Sequence, residues 1–286
     1  MAKAPTVLIT GCTAGGIGWY VAKAYKAKGY RVFATARKVE SMKGLSEAGI
    51  DLLALDVTNA ESVRAARDAV SAATGGTLDI LMNNAGITAT GPAIEVSIDE
   101  ARAAYETNVL GMMRMNQEFI DLLIAAKGQI INVSSVTSIL PLPFSAAYNA
   151  TKAAVTQYSD TLRLELIPFD VNVVTMVTGT VKTPIWTHDP DLPPSSKYYP
   201  IADVYKAKRQ NEAATKGATE PEVYAEWFVN KTAHRRAPGW LYKGLFSSRA
   251  WLLSWAVPRG MVLSTMSEMW GIDDLKPRLK AANKTA

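Results

Sequence analysis

Short apolar runs rich in β-branched residues alternate with longer amphipathic segments along the first 180 residues. The run Thr6–Thr10 predicts a buried parallel strand. Five later runs predict strands of the same kind at 30–36, 52–55, 80–82, 129–133 and 171–177. Helical periodicity fills the intervals at 17–28, 60–73, 98–125 and 147–167. This alternation implies right-handed crossovers, and therefore an α/β fold with a doubly wound parallel sheet covered on both faces.

The pattern changes after the sixth predicted strand. Residues 184–205 carry five prolines and little periodicity, 206–234 favour polar helix, and 240–258 are aromatic-rich and interrupted by glycine. We expect one domain over 1–286, in which 184–286 form a helical substrate lobe with an aromatic-rich C-terminal extension. That lobe would cover the carboxyl edge of the sheet, where open α/β sheets bind ligands.

Composition narrows the class of protein. The chain has 286 residues and a net charge of +5, without a run of five like charges, which argues against nucleic-acid binding. A single cysteine excludes an internal disulfide and a Cys-rich zinc site, and two histidines argue against a histidine-based metal site. No apolar run approaches the ~20 residues that span a bilayer, and the N-terminus has no apolar signal region. We expect a cytoplasmic protein without a metal.

A glycine-rich turn, TGCTAGGIG at residues 10–18, lies between the first strand and the first helix. Glycines there let backbone N–H groups approach a pyrophosphate, which the N-terminus of the helix stabilises. The turn predicts a dinucleotide site in a Rossmann fold. The residues predicted to contact the dinucleotide are Gly11, Thr13, Gly16, Ile17 and Gly18.

The end of the second strand indicates which dinucleotide binds. NAD sites usually place an acid about 20 residues past the glycines, to hold the ribose 2′-hydroxyl. Here the segment ATARK puts Arg37 at that place, and no acid appears before Glu40. A guanidinium can grip a 2′-phosphate, so Arg37 predicts NADP(H). The alternative is an ordinary surface arginine.

Three other strand ends fit the same cofactor. Asp56, after the third strand, offers a carboxylate to the adenine amino group, and the small residues after the fourth let the backbone pass close to a ribose. After the sixth strand, the backbone of Val181 and the hydroxyl of Thr183 suit the nicotinamide amide. The contacts predicted from these ends are Asp56, Val57, Asn84, Ala85, Gly86, Val181 and Thr183.

Tyr148 and Lys152 stand four residues apart in the segment YNATK, thirteen residues after Ser135. One helical turn puts the phenol and the ammonium on one face. An ammonium ~4 Å from the phenol oxygen, at an effective dielectric of ~20, is worth ~4 kcal/mol, or roughly three pKa units. The spacing therefore predicts a phenol whose pKa is lowered towards neutrality, which suits it to donate and accept protons.

In this order and spacing the pieces resemble the short-chain dehydrogenase/reductase family, over residues 6–183. The matching segments are TGCTAGGIG, LDV at 55–57, NNAG at 83–86, TNVLG around Asn108, INVSS around Ser135, YNATK and the turn at Gly179. Two departures are the four residues between Gly11 and Gly16 and the Thr178-Gly179 turn in place of Pro-Gly. With the aromatic tail, they resemble a fungal branch of that family.

The resemblance implies a catalytic tetrad of Asn108, Ser135, Tyr148 and Lys152. Tyr148 would exchange a proton with the carbonyl oxygen, and Ser135 would donate a hydrogen bond to it. Lys152 would lower the pKa of Tyr148 and hold the nicotinamide ribose, so that Tyr148 and Lys152 also contact the cofactor. Asn108 would hold a water that links Lys152 to solvent. Ser134, one residue from Ser135 on a strand, should point to the opposite face and be structural.

These features predict NADPH-dependent reduction of a ketone on a bulky apolar substrate (acyl lipid, steroid-like or polyketide) to a secondary alcohol. The alternatives are an alcohol-oxidising dehydrogenase on the same fold and an NADP-binding regulatory protein without turnover. Family members often pair through helices corresponding to 98–125 and 147–167, which implies a homodimer or homotetramer.

The lobe leaves three further questions open. Its aromatic residues either line an apolar pocket or form core: Trp186, Tyr198, Tyr199, Trp227 and Trp240. Its basic residues either bind a phosphate or are solvated: Lys197, Lys206, Lys208, Arg209, Arg235 and Arg236. Residues 249–257 (RAWLLSWAV) either lie on a membrane or lipid-droplet surface, such as that of the endoplasmic reticulum, or pack on a neighbouring subunit or the chain's own core. Packing is the favoured alternative.

Overall fold

The sheet of this protein has seven parallel strands with helices on both faces. In the computed structural model, residues 4–184, 191–209, 217–234 and 236–285 are described. The strands lie in the order β3-β2-β1-β4-β5-β6-β7. Their bounds are β1 Thr6–Thr10, β2 Arg31–Ala36, β3 Asp51–Ala54, β4 Ile80–Asn83, β5 Gln129–Ser135, β6 Asn172–Thr178 and β7 Trp240–Lys243. The doubly wound α/β fold predicted from the sequence is confirmed.

The seventh strand was not predicted. Its residues, Trp240–Lys243, were assigned to the aromatic-rich lobe, but they pair in parallel with β6 at the edge of the sheet. Four residues inside a longer apolar stretch carry no distinct strand signal, and the extended conformation depends on pairing with β6. The beginning of the stretch 240–258 therefore belongs to the sheet.

Ten helices of the described ranges flank the sheet or form the lobe. Their bounds are α1 Ile17–Ala27, α2 Ala60–Thr74, α3 Ile98–Tyr105, α4 Gly111–Ala126, α5 Ala146–Glu165, α6 Ala202–Arg209, α7 Pro221–Thr232, α8 Ser247–Ala256, α9 Arg259–Met269 and α10 Leu275–Thr285. The single helix predicted at 98–125 is interrupted by a π-helical turn, Glu106–Leu110. Within the helical segment predicted at 206–234, the described residues include the end of α6 and all of α7, while 210–216 lie outside the described ranges.

Alternation along the central strand divides the core between the two faces of the sheet. Val7 and Ile9 on β1 pack in a cluster with Tyr25 of α1 and Phe228 of α7. Leu8, between them, packs on the other face in a cluster that includes Phe119 of α4. Because successive side chains on a strand point to opposite faces, one apolar run supplies both layers. None of the helices in the described ranges carries an apolar stretch long enough to cross a bilayer.

Candidate active site

Two adjoining cavities lie at the carboxyl ends of the central strands. The larger, about 530 Å³, runs from the glycine turn past Arg37 and Asp56. The smaller, about 90 Å³, contains Ser135, Tyr148 and Lys152. Their shared lining residues are Ile17, Asn84, Gly86 and Thr183. The strand ends that the sequence singled out therefore converge on one cleft.

Close approaches within the turn after β1 require glycine. Gly11 has a φ of +74°, and a Cβ there would lie 2.9 Å from the Cα of Ala85. Gly15, with a φ of +80°, accommodates the extra residue between Gly11 and Gly16. The left-handed region is open to glycine without steric cost, so the longer turn still brings its backbone along the larger cavity. That cradle of glycines fits a dinucleotide pyrophosphate.

Asn84 and Thr10 hold the turn in place. The side-chain amide of Asn84 donates to the carbonyl oxygens of Thr10 (2.8 Å) and Gly11 (3.1 Å). The Thr10 hydroxyl accepts from the backbone N–H groups of Asn84 and Ala85, both at 2.9 Å. Asn84, predicted as a cofactor contact, thus lines the cavity and also braces the phosphate-binding turn. Thr10 was not singled out, although it is the last residue of β1.

Arg37 is exposed at the rim of the larger cavity, and Asp56 lies deeper. Burial opposes ionisation of Asp56, but hydrogen bonds from Thr58 and the charges of Arg37 and Arg114 outweigh it, so its pKa is lowered. The Oδ1 atom of Asp56 accepts from the Thr58 N–H (2.9 Å) and hydroxyl (2.7 Å). The cavity therefore has a fixed carboxylate inside and a guanidinium at its rim.

Ser135, Tyr148 and Lys152 meet in the smaller cavity. Ser135 and Tyr148 line it together, and the Ser135 hydroxyl acts to lower the pKa of the Tyr148 phenol. Lys152 is buried, and its Nζ donates to the Val133 carbonyl oxygen at 2.9 Å and lies 5.7 Å from the centroid of the Tyr148 ring. The end of β5 and the first two turns of α5 position all three side chains. This arrangement can transfer a proton to a carbonyl oxygen held between Tyr148 and Ser135.

The prediction that the pKa of Tyr148 is lowered towards neutrality is wrong for the protein without a bound cofactor. Burial raises the pKa of Tyr148 to about 12, against the lowering effects of the Ser135 hydrogen bond and the Arg209 charge. Burial also lowers the pKa of Lys152 to about 8. The helical spacing predicts that the two groups lie together, but it does not predict how far burial removes water from their charged forms. That desolvation sets the direction of both pKa shifts here.

Asn108 and Ser134 both hydrogen-bond to neighbouring segments of the chain. Asn108 lies in the π-turn, where its Oδ1 accepts from the Ile87 N–H at 2.8 Å and its Nδ2 donates to the Ile87 carbonyl (2.9 Å) and the Thr151 hydroxyl (3.0 Å). It lines neither cavity, and its role in holding a water stays a prediction. The Ser134 hydroxyl donates to the Lys152 carbonyl oxygen at 3.1 Å, and Ser134 also lines the smaller cavity, so its structural role stays a prediction.

Fifteen of the seventeen predicted site residues line the two cavities. Those in the larger are Gly11, Thr13, Gly16, Ile17, Arg37, Asp56, Val57, Asn84, Ala85, Gly86 and Thr183. Those added by the smaller are Ser135, Tyr148, Lys152 and Val181. The exceptions are Asn108 and Gly18, and a Cβ on Gly18 would lie 2.7 Å from the Asn84 Nδ2. The lining residues that were not predicted as site residues are Thr10, Ala14, Thr35, Ala36, Leu55, Thr58, Ile87, Ala103, Thr107, Val133, Ser134, Thr178, Gly179 and Pro184. Several of these residues lie next to predicted ones at strand ends, and that position is the sequence signal that could have identified them.

The lobe aromatics have different environments. Tyr198 and Phe144 line a third, largely apolar cavity of about 330 Å³, together with Met266 of α9. Trp227 packs against the main core, and Trp240 stacks on Tyr242. Tyr199 is exposed, while Trp186 and Arg235 lie outside the described residues. In the described ranges, no group of three or more His, Cys, Asp or Glu side chains is arranged to hold a metal.

The chain is similar to short-chain dehydrogenases in sequence and in structure. A family model for short chain dehydrogenase matches residues 5–191. Short-chain dehydrogenase cctT of Talaromyces islandicus is 40% identical over 260 residues, covering 88% of this chain and 90% of that protein. The NADPH-dependent 1-acyldihydroxyacetone phosphate reductase of Schizosaccharomyces pombe is 46% identical over 200 residues, 68% of each chain. The crystal structure of a short-chain dehydrogenase from Streptomyces avermitilis aligns with a TM-score of 0.75 and 25% identity, over 97% of this chain and 98% of that one.

Proposed function

The chain belongs to the short-chain dehydrogenase family, and from that premise we propose that it reduces a ketone on a bulky apolar substrate to a secondary alcohol with NADPH. Family membership makes it an oxidoreductase that uses a nicotinamide cofactor and acts on a small molecule. The observation that carries the proposal is the meeting of Ser135, Tyr148 and Lys152 in a cavity that adjoins the glycine-lined one.

Residues of this chain bind and protonate the oxygen of the reacting carbonyl. A reduced nicotinamide, when bound, supplies the hydride. Ser135 donates a hydrogen bond to the carbonyl oxygen and stabilises the negative charge that develops there. Tyr148 donates its proton to the same oxygen and is left as a phenolate. Lys152, 5.7 Å from the ring centroid, offers a cation to that phenolate when protonated.

Arg37 supports the choice of NADP(H) over NAD(H). Its guanidinium lies at the rim of the larger cavity, directly after β2, where an acid would repel a 2′-phosphate. The Schizosaccharomyces pombe relative is named as NADPH-dependent, which agrees with this choice. Cells generally keep NADPH reduced, so the proposed direction is reduction, and alcohol oxidation is the alternative.

The apolar cavity supports a bulky substrate. This third cavity is lined by Ala146 and Asn149 at the start of α5, while Tyr148, between them in the sequence, lines the smaller cavity. An acyl, steroid-like or polyketide portion of the substrate would bury apolar surface there. The name of the Schizosaccharomyces pombe relative specifies an acylated phosphate ketone, which has such a portion.

The C-terminal helices supply a proposed lipid contact. On α8, Trp255 is 82% exposed and Leu252 is 57% exposed. The alternative in which these side chains pack on the chain's own core is therefore wrong. From residue 246 to 267 the sequence contains no acid, but it contains Arg249 and Arg259. Tryptophan and leucine beside cations suit an interface with anionic lipid. The proposal is a cytoplasmic enzyme attached peripherally to the endoplasmic reticulum or to lipid droplets.

Exposed leucines on two helical segments favour self-association. Leu110 at the end of the π-turn and Leu164 on α5 are 45% and 69% exposed. They belong to the helices through which family members were expected to pair. The proposal therefore includes a homodimer or homotetramer, which sedimentation equilibrium would test.

The experiment that tests the function is a ketone panel with purified protein, following NADPH absorbance. The panel contains acyl-dihydroxyacetone phosphate, steroid ketones, polyketide ketones and small polar ketones. We expect NADPH oxidation with at least one bulky apolar ketone, faster than with the small ones, and far slower oxidation with the Tyr148→Phe variant. Turnover of alcohols alone would replace reduction with oxidation. Tight NADPH binding without any turnover would favour the regulatory alternative.

A further inference from the structure

One cation of the lobe is buried next to the catalytic helix. Of the basic residues that the sequence grouped as phosphate-binding or solvated, Lys197, Lys206, Lys208 and Arg236 are exposed. Arg209, the last residue of α6, is only 4% exposed. Burial of a guanidinium costs free energy unless its surroundings stabilise it. The buried position of Arg209 therefore needs a structural explanation, whereas a solvated cation needs none.

Arg209 joins the lobe to the start of α5. Its Nη1 donates to the Ser145 hydroxyl at 2.8 Å, and its Nη2 donates to the Thr90 hydroxyl at 3.0 Å. Ser145 immediately precedes α5, and Thr90 lies in the segment that follows β4. The same two segments also meet through the backbone, because the Gly91 N–H donates to the Phe144 carbonyl at 2.9 Å. The guanidinium therefore fastens α6 to the first turn of the helix that carries Tyr148.

The position also has an electrostatic consequence for Tyr148. Lys152, on the same helix, has its Nζ 5.7 Å from the centroid of the Tyr148 ring, and Arg209 reaches the start of that helix from α6 through Ser145. Burial raises the pKa of Tyr148, and the Ser135 hydrogen bond and then the Arg209 charge oppose that rise.

We propose that Arg209 is a positioning residue for the reaction of Tyr148: its buried guanidinium holds the first turn of α5 and stabilises the phenolate that remains after proton transfer. The inference rests on the proposed carbonyl reduction. In that step the phenol O–H bond breaks, its proton bonds to the substrate oxygen, and the negative charge passes to Tyr148. A cation nearby lowers the free energy of that charge most where water is excluded.

The experiment separates charge from packing with three proteins. Arg209→Gln removes the charge, Arg209→Lys keeps it, and the double variant Thr90→Val with Ser145→Ala keeps the guanidinium but removes both hydroxyl partners. Ring-fluorinated tyrosine, which has a lower pKa than tyrosine, is incorporated throughout. The Tyr148 signal is then followed by fluorine NMR across pH, with Tyr148→Phe to identify it.

We expect Arg209→Gln to move the titration midpoint of Tyr148 upward by roughly one pH unit, because an opposite charge is lost. The Lys variant and the double variant should keep midpoints near that of the wild type. For a ketone found active in the panel, kcat at pH 7 should fall about tenfold in the Gln variant and less in the Lys variant.

A Gln variant that is folded and titrates as the wild type does would overturn the inference and leave Arg209 a purely structural link. Equal upward shifts in the Gln and Lys variants would also overturn it, because the charge would then have no part. The fluorine titration needs no turnover. If no ketone in the panel is reduced, the proposed function is wrong. The fluorine titration would still decide the role of Arg209.

Discussion

The Nζ atom of Lys152 lies 5.7 Å from the centroid of the Tyr148 ring, while it donates a hydrogen bond to the Val133 carbonyl oxygen at 2.9 Å. Both side chains are buried, and burial moves both pKa values towards the neutral forms: Tyr148 to about 12 and Lys152 to about 8. The pair is therefore a neutral phenol beside an ammonium that loses its proton readily. A neutral phenol is the form that donates a proton in ketone reduction.

Replacing Tyr148 with phenylalanine should abolish most turnover and leave the fold intact. Loss of a general acid typically lowers kcat roughly 10²- to 10⁴-fold. NADPH should still bind, because the larger cavity keeps its lining. The matched control is Tyr158→Phe on the same helix, because Tyr158 lines neither of the two cavities. Steady-state kinetics and fluorescence titration with NADPH provide the two measurements, and a Tyr148→Phe variant with wild-type kcat would contradict the mechanism.

Replacing Lys152 with methionine should stabilise the fold at neutral pH, although it abolishes activity. The native state favours neutral Lys152, with a pKa of about 8 against 10.5 for the free side chain. Below pH 8 the native protein therefore carries the full cost of the buried charge, which is on the order of 3 kcal/mol at 1.36 kcal/mol per pKa unit.

That cost disappears as the pH rises from about 8 towards 10.5, because the native lysine loses its proton before the unfolded one does. The stability advantage of Lys152→Met should shrink over this window. Urea unfolding at pH 7, 8.5 and 10 measures it, with the exposed Lys28→Met as control. An advantage that stays constant with pH would show that the native lysine does not titrate in this range.

Replacing Arg37 with aspartate should reverse the cofactor preference. A charge-assisted hydrogen bond to the 2′-phosphate is worth about 1.5–3 kcal/mol, and an acid in its place adds repulsion. The ratio of kcat/KM for NADPH over NADH should therefore fall at least about tenfold. Lys43→Asp, an exposed cation outside the cavity, makes the same change in net charge. An unchanged ratio in the Arg37 variant would remove the basis for the NADP(H) assignment.

Replacing Trp255 with serine should weaken attachment to lipid without changing turnover of a freely dissolved ketone. The indole is the most exposed of the large apolar side chains on α8 and α9, and interfacial binding depends on buried apolar area together with attraction to anionic lipid. Co-sedimentation with liposomes containing phosphatidylserine measures the effect. Val223→Ser, on the exposed face of α7, is the control. A wild-type protein that stays in the supernatant would end the lipid proposal and leave a subunit contact as the use of these helices.

The sequence by itself determined the architecture and most of the candidate site. Apolar runs with intervening helical periodicity predict the six parallel strands, because each local pattern reflects which side chains must be buried. Turn and catalytic residues such as Gly11 and Tyr148 lie at strand ends or helix starts, so their convergence follows from the parallel topology.

Only the tertiary structure decided what depends on residues distant in the chain. The strand Trp240–Lys243 forms because the edge of β6 is there to pair with it. The direction of the pKa shift at Tyr148 depends on how completely β5, α5 and α6 exclude water. Arg209 is indistinguishable from its solvated neighbours until α6 carries it against Ser145. Desolvation and the fields of buried charges arise from this long-range packing, and no local pattern of residues specifies them.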